Sequence, residues 1–207
     1  MPFVTPSGGV YVVQALTPTH KVYRLSPGGA AELLAPPAAD GAGDGAAGAA
    51  GAFSVLGAGA AKLHGGPPLV LVDGAKWSEW LRDPKVAARA KAASRYFLGV
   101  VHFWVPTGSG DGRSYHHYLY KMEASPPFRP LEVSAELPLK THPRYKKVTF
   151  ASGLHLQPPR RGATPANGGS GPRVLVSYGS GDAGSRVLVL TLEEVEGLFK
   201  AGPPRAG

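Results

Sequence analysis

The sequence contains no cysteine among its 207 residues. That absence excludes a disulfide framework and any metal site built on thiolates. The sequence also lacks an apolar run of about 18 residues, the minimum for a membrane-spanning helix, so we expect no membrane span. Acidic residues are few, with 14 Asp and Glu against 22 Lys and Arg, and the formal net charge is +8. Such a charge favours binding of phosphate, nucleic acid or anionic lipid.

The basic residues are scattered along the chain. Their densest groups are residues 142–147, H-P-R-Y-K-K, and residues 159–161, P-R-R. Neither group is accompanied by a nucleic-acid-binding motif, so we interpret both as solvated loops and predict no specific nucleic-acid partner.

Glycine and proline are in excess, at 29 and 21 residues, about a quarter of the 207. Residues 30–61 form a low-complexity stretch of Ala and Gly that buries too little apolar surface to offset its ordering entropy. We predict one domain over 3–200, interrupted by a disordered insertion at 36–61, and a disordered tail at 201–207. An Ala-rich helix is the alternative, which six glycines between positions 41 and 57 disfavour by about 1 kcal/mol each.

The apolar segments alternate as strands do, and 43% of the residues are hydrophobic, enough to form a core. We predict strands at Val10–Ala15, Lys21–Leu25, 69–73, 97–106, 115–123, 131–134, 148–157, 173–178 and Ser185–Thr191. The strand at 115–123 is expected to be the antiparallel partner of the one at 97–106.

Two helices accompany these strands. A surface helix over 85–94 would begin at Asp83-Pro84, with Asp as N-cap and Pro in the first turn. A short closing helix would follow Thr191, which forms a capping box with Glu194. Strand pairs in units of about 40–50 residues predict an all-β fold, a partial β-propeller of about three blades.

A glycine-rich turn, G-S-G-D-A-G at residues 179–184, joins the last two strands and carries Asp182 at its tip. A carboxylate at a rigid hairpin tip can point into a pocket built by several such turns. The alternative, which the spacing alone favours because Asp is a common turn residue, is that Asp182 caps its own turn through a side-chain hydrogen bond. The sequence leaves both roles open.

His102 lies on the face of its predicted strand that also carries Leu98 and Val100. This pattern alone favours a core histidine over a ligand-binding one. His116 and His117 are neighbours in a predicted strand, so their side chains point to opposite faces and do not easily share one metal ion. We predict no metal site.

In their order along the chain these segments resemble the C-terminal blades of five-bladed β-propellers of the β-mannoside phosphorylase and glycosidase type. In that family one strand ends with a histidine, here G-V-V-H at 99–102. A later strand reads F-x-x-G, here F-A-S-G at 150–153, and the final hairpin carries Y-G-x-x-D, here Y-G-S-G-D at 178–182. A related branch is associated with glycosyltransferases, and its R-G-G-like glycines correspond to H-G-G at 64–66.

The resemblance implies a carbohydrate-active domain that binds a glycan or sugar phosphate on the axis shared by the blades. It implies that Asp182 binds sugar hydroxyls and that His102 binds a hydroxyl or phosphate of the substrate. Gly65 and Gly66 would allow close approach of the ligand to the backbone, and Tyr178 would support the turn. No cofactor is implied, and a phosphorylase reaction would use inorganic phosphate as co-substrate.

Departures from the family pattern leave the enzymatic activity open. No residue here matches the general-acid aspartate of the family, so no catalytic residue is predicted. His64 replaces the arginine, and Gly184 stands where the glycosyltransferase-linked branch often has an acidic residue. About three blades are present against roughly 4–8 in a closed propeller, so we expect a fragment, a truncated gene model or a degenerate copy.

A second hypothesis belongs to another functional class. The chain would be a non-catalytic β-sheet interaction module whose basic surface binds polyanions or protein partners. Sugar binding that is insensitive to salt would favour the propeller hypothesis, whereas steeply salt-dependent binding to polyanions would favour the interaction module.

Overall fold

The structure is a computed structural model that describes residues 1–17, 20–34, 52–53, 56, 63–107, 113–140, 148–167, 169–181 and 184–203. The strands are β1 (Pro2–Val4), β2 (Val10–Ala15), β3 (Lys21–Leu25), β4 (Ala31–Leu33), β5 (His64–Gly65), β6 (Val70–Asp73), β7 (Arg95–Pro106), β8 (Arg113–Glu123), β9 (Pro130–Glu136), β10 (Thr149–Gln157), β11 (Arg173–Ser180) and β12 (Ser185–Thr191). The helices are α1 (Gly74–Ser78), α2 (Pro84–Ala92) and α3 (Leu192–Ala201).

Three antiparallel sheets follow one another along the chain. Sheet 1 has the order β1-β2-β3-β4, and sheet 3 has the order β10-β11-β12. In sheet 2, β7 pairs with β8 and β8 with β9, while β5 and β6 share the other edge of β7. Sheets 1 and 3 are therefore local meanders, in which strands adjacent in sequence are paired in space, and β6 to β9 of sheet 2 follow the same pattern.

Sheet 2 is the middle layer of the molecule. The core between sheets 1 and 2 includes Phe3, Val13, Val22, Phe97, Val101 and Tyr118. The core between sheets 2 and 3 includes Leu98, Val100, Leu119, Ala151, Val174 and Val176. Because alternate residues of β7 enter alternate cores, this strand is apolar on both faces, and its continuous hydrophobic run follows from that position.

The three sheets meet near β1, β6 and β10. The amide of Leu69, which directly precedes β6, donates a hydrogen bond of 3.1 Å to the carbonyl of Pro2 in β1. Strand β6 in turn contacts β10, and β5 contacts β2. Helix α3 packs against β9 and β12, the last strands of sheets 2 and 3.

Helix α3 is joined to sheet 2 by a buried ion pair. Lys121 Nζ lies 3.1 and 3.2 Å from the two carboxylate oxygens of Glu196, and both residues are buried. The ammonium also lies 3.4 Å from Glu132 and 4.1 Å from the ring centroid of Phe199. These contacts compensate the cost of removing the two charges from water.

The structure confirms the main elements predicted from sequence. The strands at Val10–Ala15, Lys21–Leu25 and Ser185–Thr191 have the predicted bounds. The Asp83 side chain accepts hydrogen bonds from the first amides of α2, and the capping box at Thr191 is present. In its coarse form the all-β prediction is also confirmed, since the described residues form mainly antiparallel sheets.

The short elements β1, β4, β5 and α1 were not predicted, because two to five residues carry no readable alternation. Most of the predicted insertion at 36–61 lies outside the described residues. Within it, the ring of Phe53 is buried 5.8 Å from that of Tyr120. Residues 142–147 and 204–207 also lie outside the described part, and no described helix is long and apolar enough to cross a membrane.

Candidate functional site

Three histidines lie side by side on neighbouring strands of sheet 2. His64 of β5 is opposite His102 of β7, and His102 is opposite His117 of β8. The ring centroids are 5.7 Å apart for the first pair and 5.4 Å for the second. Cross-strand partners project from the same face of a sheet, so these three residues, the histidine row, lie on the side that faces sheet 3.

Two aromatic rings flank the histidine row. The Phe150 ring of β10 lies 4.9 Å from that of His102, edge to face at 72°. The Tyr115 ring lies 5.8 Å from His102 and 6.1 Å from Phe150. Phe150 belongs to sheet 3 and is 41% exposed. The row and these rings lie at the edge of the interface between sheets 2 and 3, where Phe150 is partly open to solvent, and we take this edge as the candidate cleft.

A ring nitrogen of the row is buried without a hydrogen-bond partner among the described residues. The Ala151 amide donates to His117 Nε2 at 3.2 Å, so that nitrogen is an acceptor and Nδ1 of the same ring carries the proton. His102 Nδ1 is buried and has no hydrogen-bond partner among the described residues. Buried polar atoms are nearly always hydrogen-bonded, so an unpartnered ring nitrogen in a cleft is a candidate ligand contact.

Burial, together with a smaller contribution from the neighbouring His64, lowers the pKa of His102 to about 4. Burial likewise lowers the pKa of His117 to about 3, with smaller contributions from His102 and His116. Both imidazoles are therefore neutral near neutral pH and act as hydrogen-bond donors and acceptors rather than as cations. Neutral groups of this kind suit hydroxyl groups better than they suit a phosphate.

The hairpin that carries Asp182 begins beside Phe150. Phe150 is the cross-strand partner of Gly179, and the amide of Gly181 donates to the carbonyl of Val148 at 2.6 Å. Gly181 has a φ of 65°, a left-handed conformation that glycine adopts without strain. Asp182 lies outside the described residues, but the described start of its turn is adjacent to the cleft.

Tyr178 is a buried residue of β11 and directly precedes the glycine-rich turn. Its hydroxyl accepts a hydrogen bond of 3.3 Å from the Lys140 amide, and Ser180 Oγ donates to the Lys140 carbonyl at 3.2 Å. The two bonds attach the segment after β9 to the strand that leads into the turn. The supporting role of Tyr178 in ligand binding stays a prediction.

Gly65 and Gly66 lie beside the histidine row and closely approach other parts of the protein. A Cβ atom on Gly65 would lie 2.6 Å from Met1 Cγ. A Cβ on Gly66 would lie 2.9 Å from the Val100 carbonyl oxygen, which also accepts the Gly66 amide at 3.0 Å. Close packing within the protein accounts for glycine at both positions, and their contact with a ligand stays a prediction.

His116 points away from the cleft, as predicted from its place next to His117. Its Nδ1 lies 2.9 Å from a Glu136 carboxylate oxygen, and its ring stacks on Phe103 at 5.2 Å. Among the described residues, no three histidine, aspartate or glutamate side chains are arranged to hold a metal ion.

The sequence did not predict that the side chains of His64, Tyr115 and Phe150 lie at the candidate site. Only strand pairing brings His64 to His102, and only the stacking of sheets brings Phe150 there. The available signal was a histidine in each of three segments that pair in a single sheet, with two adjacent histidines in the segment of β8.

Two cavities lie at the other end of the sheets, with volumes of about 390 and 440 Å³, and Trp80 lines both. Their linings include Arg173 and Leu156, which lie at the far end of the β10–β11 ladder from Phe150. None of the predicted site residues lines these two cavities.

No protein-family model matches the chain, and comparisons with curated proteins and with solved structures find no match.

Proposed function

We propose that this chain is a carbohydrate-binding domain, a partial β-propeller whose sheets are successive blades, and that it binds a neutral glycan in the cleft between sheets 2 and 3. The main support for this proposal is the exposed aromatic ring of Phe150, which contacts His102. The buried Nδ1 of His102 has no hydrogen-bond partner among the described residues. The resemblance to glycoside phosphorylase and glycosyltransferase-linked propellers supports the same class of ligand.

The arrangement of the sheets supports the propeller. Sheets 1 and 3 and the strands β6 to β9 of sheet 2 are antiparallel meanders, consecutive sheets pack on one another, and β1, β6 and β10, with which these meanders begin, lie near one another. A propeller blade has this meander topology, and its first strands line the central axis. The candidate cleft opens beside β10, one of those strands.

The chemistry of the cleft supports a sugar. One face of a sugar ring carries C–H groups that pack on an aromatic ring, and its edges carry hydroxyl groups. Phe150 offers the apolar surface, and His102 Nδ1 offers a hydrogen bond. Asp182, in the turn that begins beside Phe150, supplies a carboxylate acceptor in this proposal.

The two buried histidines of the row favour a neutral glycan over a sugar phosphate. The rings in contact with His102 are those of His64, Tyr115, His117 and Phe150, and His102 and His117 are uncharged near pH 7 because burial lowers their pKa values to about 4 and about 3. Phosphate binding normally uses cationic side chains or helix N-termini. We therefore propose glycan binding as the function and assign no catalytic residue.

The test is a calorimetric titration with β-linked manno-oligosaccharides and with mannose 1-phosphate at low and high salt. We expect saturable binding of the neutral sugar that salt does not change, and about tenfold weaker binding by Phe150→Ala. Val187→Ala, an exposed apolar residue outside the cleft, is the matched control and should bind as the unmodified chain does.

The interaction module for polyanions is the second candidate, favoured by the formal charge of +8 and by the exposed side chains of Arg160 and Arg161. It predicts binding to heparin or nucleic acid that weakens steeply as salt rises. That result, with no sugar binding at either salt concentration, would replace the carbohydrate proposal.

A further inference from the structure

The two cavities at the far end of the sheets adjoin one another. Their volumes of about 390 and 440 Å³ lie within the range of ligand-binding sites, and Glu79, Trp80 and Pro172 line both. The smaller cavity extends to the start of α3, and the larger one extends to the end of β10. Cavities that share a wall can hold successive parts of one extended ligand.

Two tryptophans build the larger cavity. The Trp80 amide donates a hydrogen bond of 3.1 Å to the Trp77 carbonyl, so the helical turn of α1 continues and places both side chains on one side. Trp77 is 2% exposed and belongs to the core, whereas Trp80 is half-buried and packs against that core. A Cβ on Gly171 would lie 3.0 Å from Trp80 Cε3, so the loop before β11 holds the shared wall in place.

The indole N–H of Trp77 is a buried donor without a hydrogen-bond partner among the described residues. An indole nitrogen can only donate, and buried donors are nearly always paired. Because Trp77 lines the larger cavity, its unpaired N–H indicates a ligand that brings an acceptor to this place.

The rest of the lining of the larger cavity is mainly apolar. Besides the two tryptophans it consists of two leucines, three prolines and three charged residues. The hydroxyl groups of a sugar need several hydrogen-bonding partners, which a lining of this kind does not supply. The lining therefore fits a ligand with rigid apolar groups and a few exposed acceptors.

The charges around the two cavities balance. Three acidic and three basic residues line them, namely Asp73, Glu79, Glu193, Lys76, Arg82 and Arg173. Asp73 lies 3.6 Å from Arg95, and Glu193 lies 4.0 Å from Arg82. In a chain with a formal charge of +8, this local balance matches a neutral ligand, and the carboxylates disfavour a phosphate backbone.

We propose that the two cavities form one groove that binds a neutral, proline-rich segment of another protein in the polyproline II conformation. Such a segment has rigid apolar rings, and its carbonyl groups make no internal hydrogen bonds. With three residues per turn and a rise of about 3.1 Å, prolines three residues apart recur on one face at about 9 Å. Grooves lined by aromatic side chains bind segments of this kind.

Each feature of the groove has a partner in this ligand. Two prolines occupy the two cavities on either side of Trp80, and a peptide carbonyl between them accepts the Trp77 N–H. The balanced charges at the rim suit a segment that carries no charge of its own. The groove is independent of the proposed glycan site, whose residues line neither cavity.

The first experiment is a calorimetric titration with a capped oligoproline peptide at low and high salt. A capped Gly-Ser peptide of equal length is the control, because it is flexible and loses more conformational entropy on binding. We expect saturable binding of oligoproline that salt does not change, and much weaker binding of the Gly-Ser peptide. No binding of oligoproline, or equal binding of the two peptides, would overturn the proposal.

The second experiment changes the two tryptophans. Trp77→Phe keeps an aromatic ring in the core and removes the N–H, so it should weaken oligoproline binding roughly fivefold. Trp80→Ala removes the shared wall and should weaken binding at least about tenfold. Trp104→Phe, the same change at a tryptophan that lines neither cavity, is the matched control and should bind normally. Unchanged affinity in Trp77→Phe or in Trp80→Ala would overturn the proposal.

Two further titrations separate the proposal from other ligands. Oligothymidylate that binds with a steep salt dependence and depends on Trp80 would identify a nucleic-acid site and reject the peptide. Phe150→Ala should bind oligoproline normally. A chain that binds oligoproline but no manno-oligosaccharide would retain the groove and reject the glycan site. Sugar binding that depends on Phe150, without oligoproline binding, would reject the groove alone.

Discussion

The ring of Phe150 lies 4.9 Å from the imidazole of His102, edge to face, and joins sheet 3 to sheet 2. Phe150 is also the cross-strand partner of Gly179, where the glycine-rich turn begins. One aromatic residue thus connects the histidine row to the turn that carries Asp182. The proposed glycan site depends on this connection, because neither segment alone forms a cleft.

Substitution by alanine should be more destabilising at Gly66 than at Gly65, the two glycines beside the histidine row. Gly66→Ala places a Cβ 2.9 Å from the Val100 carbonyl oxygen, a backbone atom that cannot move independently. We expect a loss of about 1–3 kcal/mol in the free energy of unfolding, measured by urea denaturation. Gly65→Ala meets the flexible Met1 side chain, so its cost should be below about 1 kcal/mol. Equal costs at both positions would contradict the packing described for them.

Removing one partner of the buried Lys121–Glu196 ion pair should strongly lower the free energy of unfolding. Lys121→Met leaves the Glu196 carboxylate buried without a cation, which we expect to lower the free energy of unfolding by about 3–5 kcal/mol. Replacing both, as Lys121→Met with Glu196→Leu, should recover much of that loss because no unpaired charge then remains buried. Equilibrium unfolding of the single and double variants measures the coupling.

The exposed ion pair between Arg82 and Glu193 is the control for the buried pair. Arg82 and Glu193 are separated by 4.0 Å, with the Arg82 side chain 94% exposed. Arg82→Ala should therefore change the free energy of unfolding by less than about 1 kcal/mol. A loss from Arg82→Ala as large as that from Lys121→Met would contradict the assignment of the buried pair as the anchor of α3.

Stability should fall as the solution is acidified below the ordinary pKa of histidine. Burial lowers the pKa of His102 to about 4 and that of His117 to about 3, so between these values and 6.5 the unfolded chain binds more protons than the folded one. The stabilisation is complete above about pH 6.5 and is lost as pH falls toward 4 and 3. At about pH 5 each histidine should lower the free energy of unfolding by up to about 2 kcal/mol.

His117→Gln tests the origin of this pH dependence. The glutamine oxygen can accept the Ala151 amide, as Nε2 of His117 does, but it does not titrate. The variant should lose part of the difference in stability between about pH 7.5 and pH 5. An unchanged slope of stability against pH would show that other groups, and not the histidine row, determine it.

The longer strands could be predicted because alternation and β-branched residues mark them directly, as at Val10–Ala15 and Ser185–Thr191. Helix starts were predicted from capping chemistry at Asp83 and Thr191, which acts over three or four residues. The short strands β1 and β5 could not be predicted, because two or three residues become a strand only by pairing with a neighbour.

The candidate site could be predicted only in part. Asp182 was singled out from a turn, a local feature, whereas the ligand role of His102 was implied by the resemblance and not by its strand face. That His64 stands opposite His102 depends on the pairing of β5 with β7, which are 30 or more residues apart in sequence. The place of Phe150 depends on how two sheets stack. Such long-range contacts follow from packing and not from local pattern.

The most direct test of the central claim is calorimetric titration of a manno-oligosaccharide into Asp182→Ala and His102→Ala, with Glu79→Ala at the far end of the sheets as control. We predict that Asp182→Ala abolishes binding with little loss of stability, that His102→Ala weakens it at least about tenfold, and that Glu79→Ala binds normally. Unchanged sugar affinity in the Asp182 and His102 variants would contradict the proposed site.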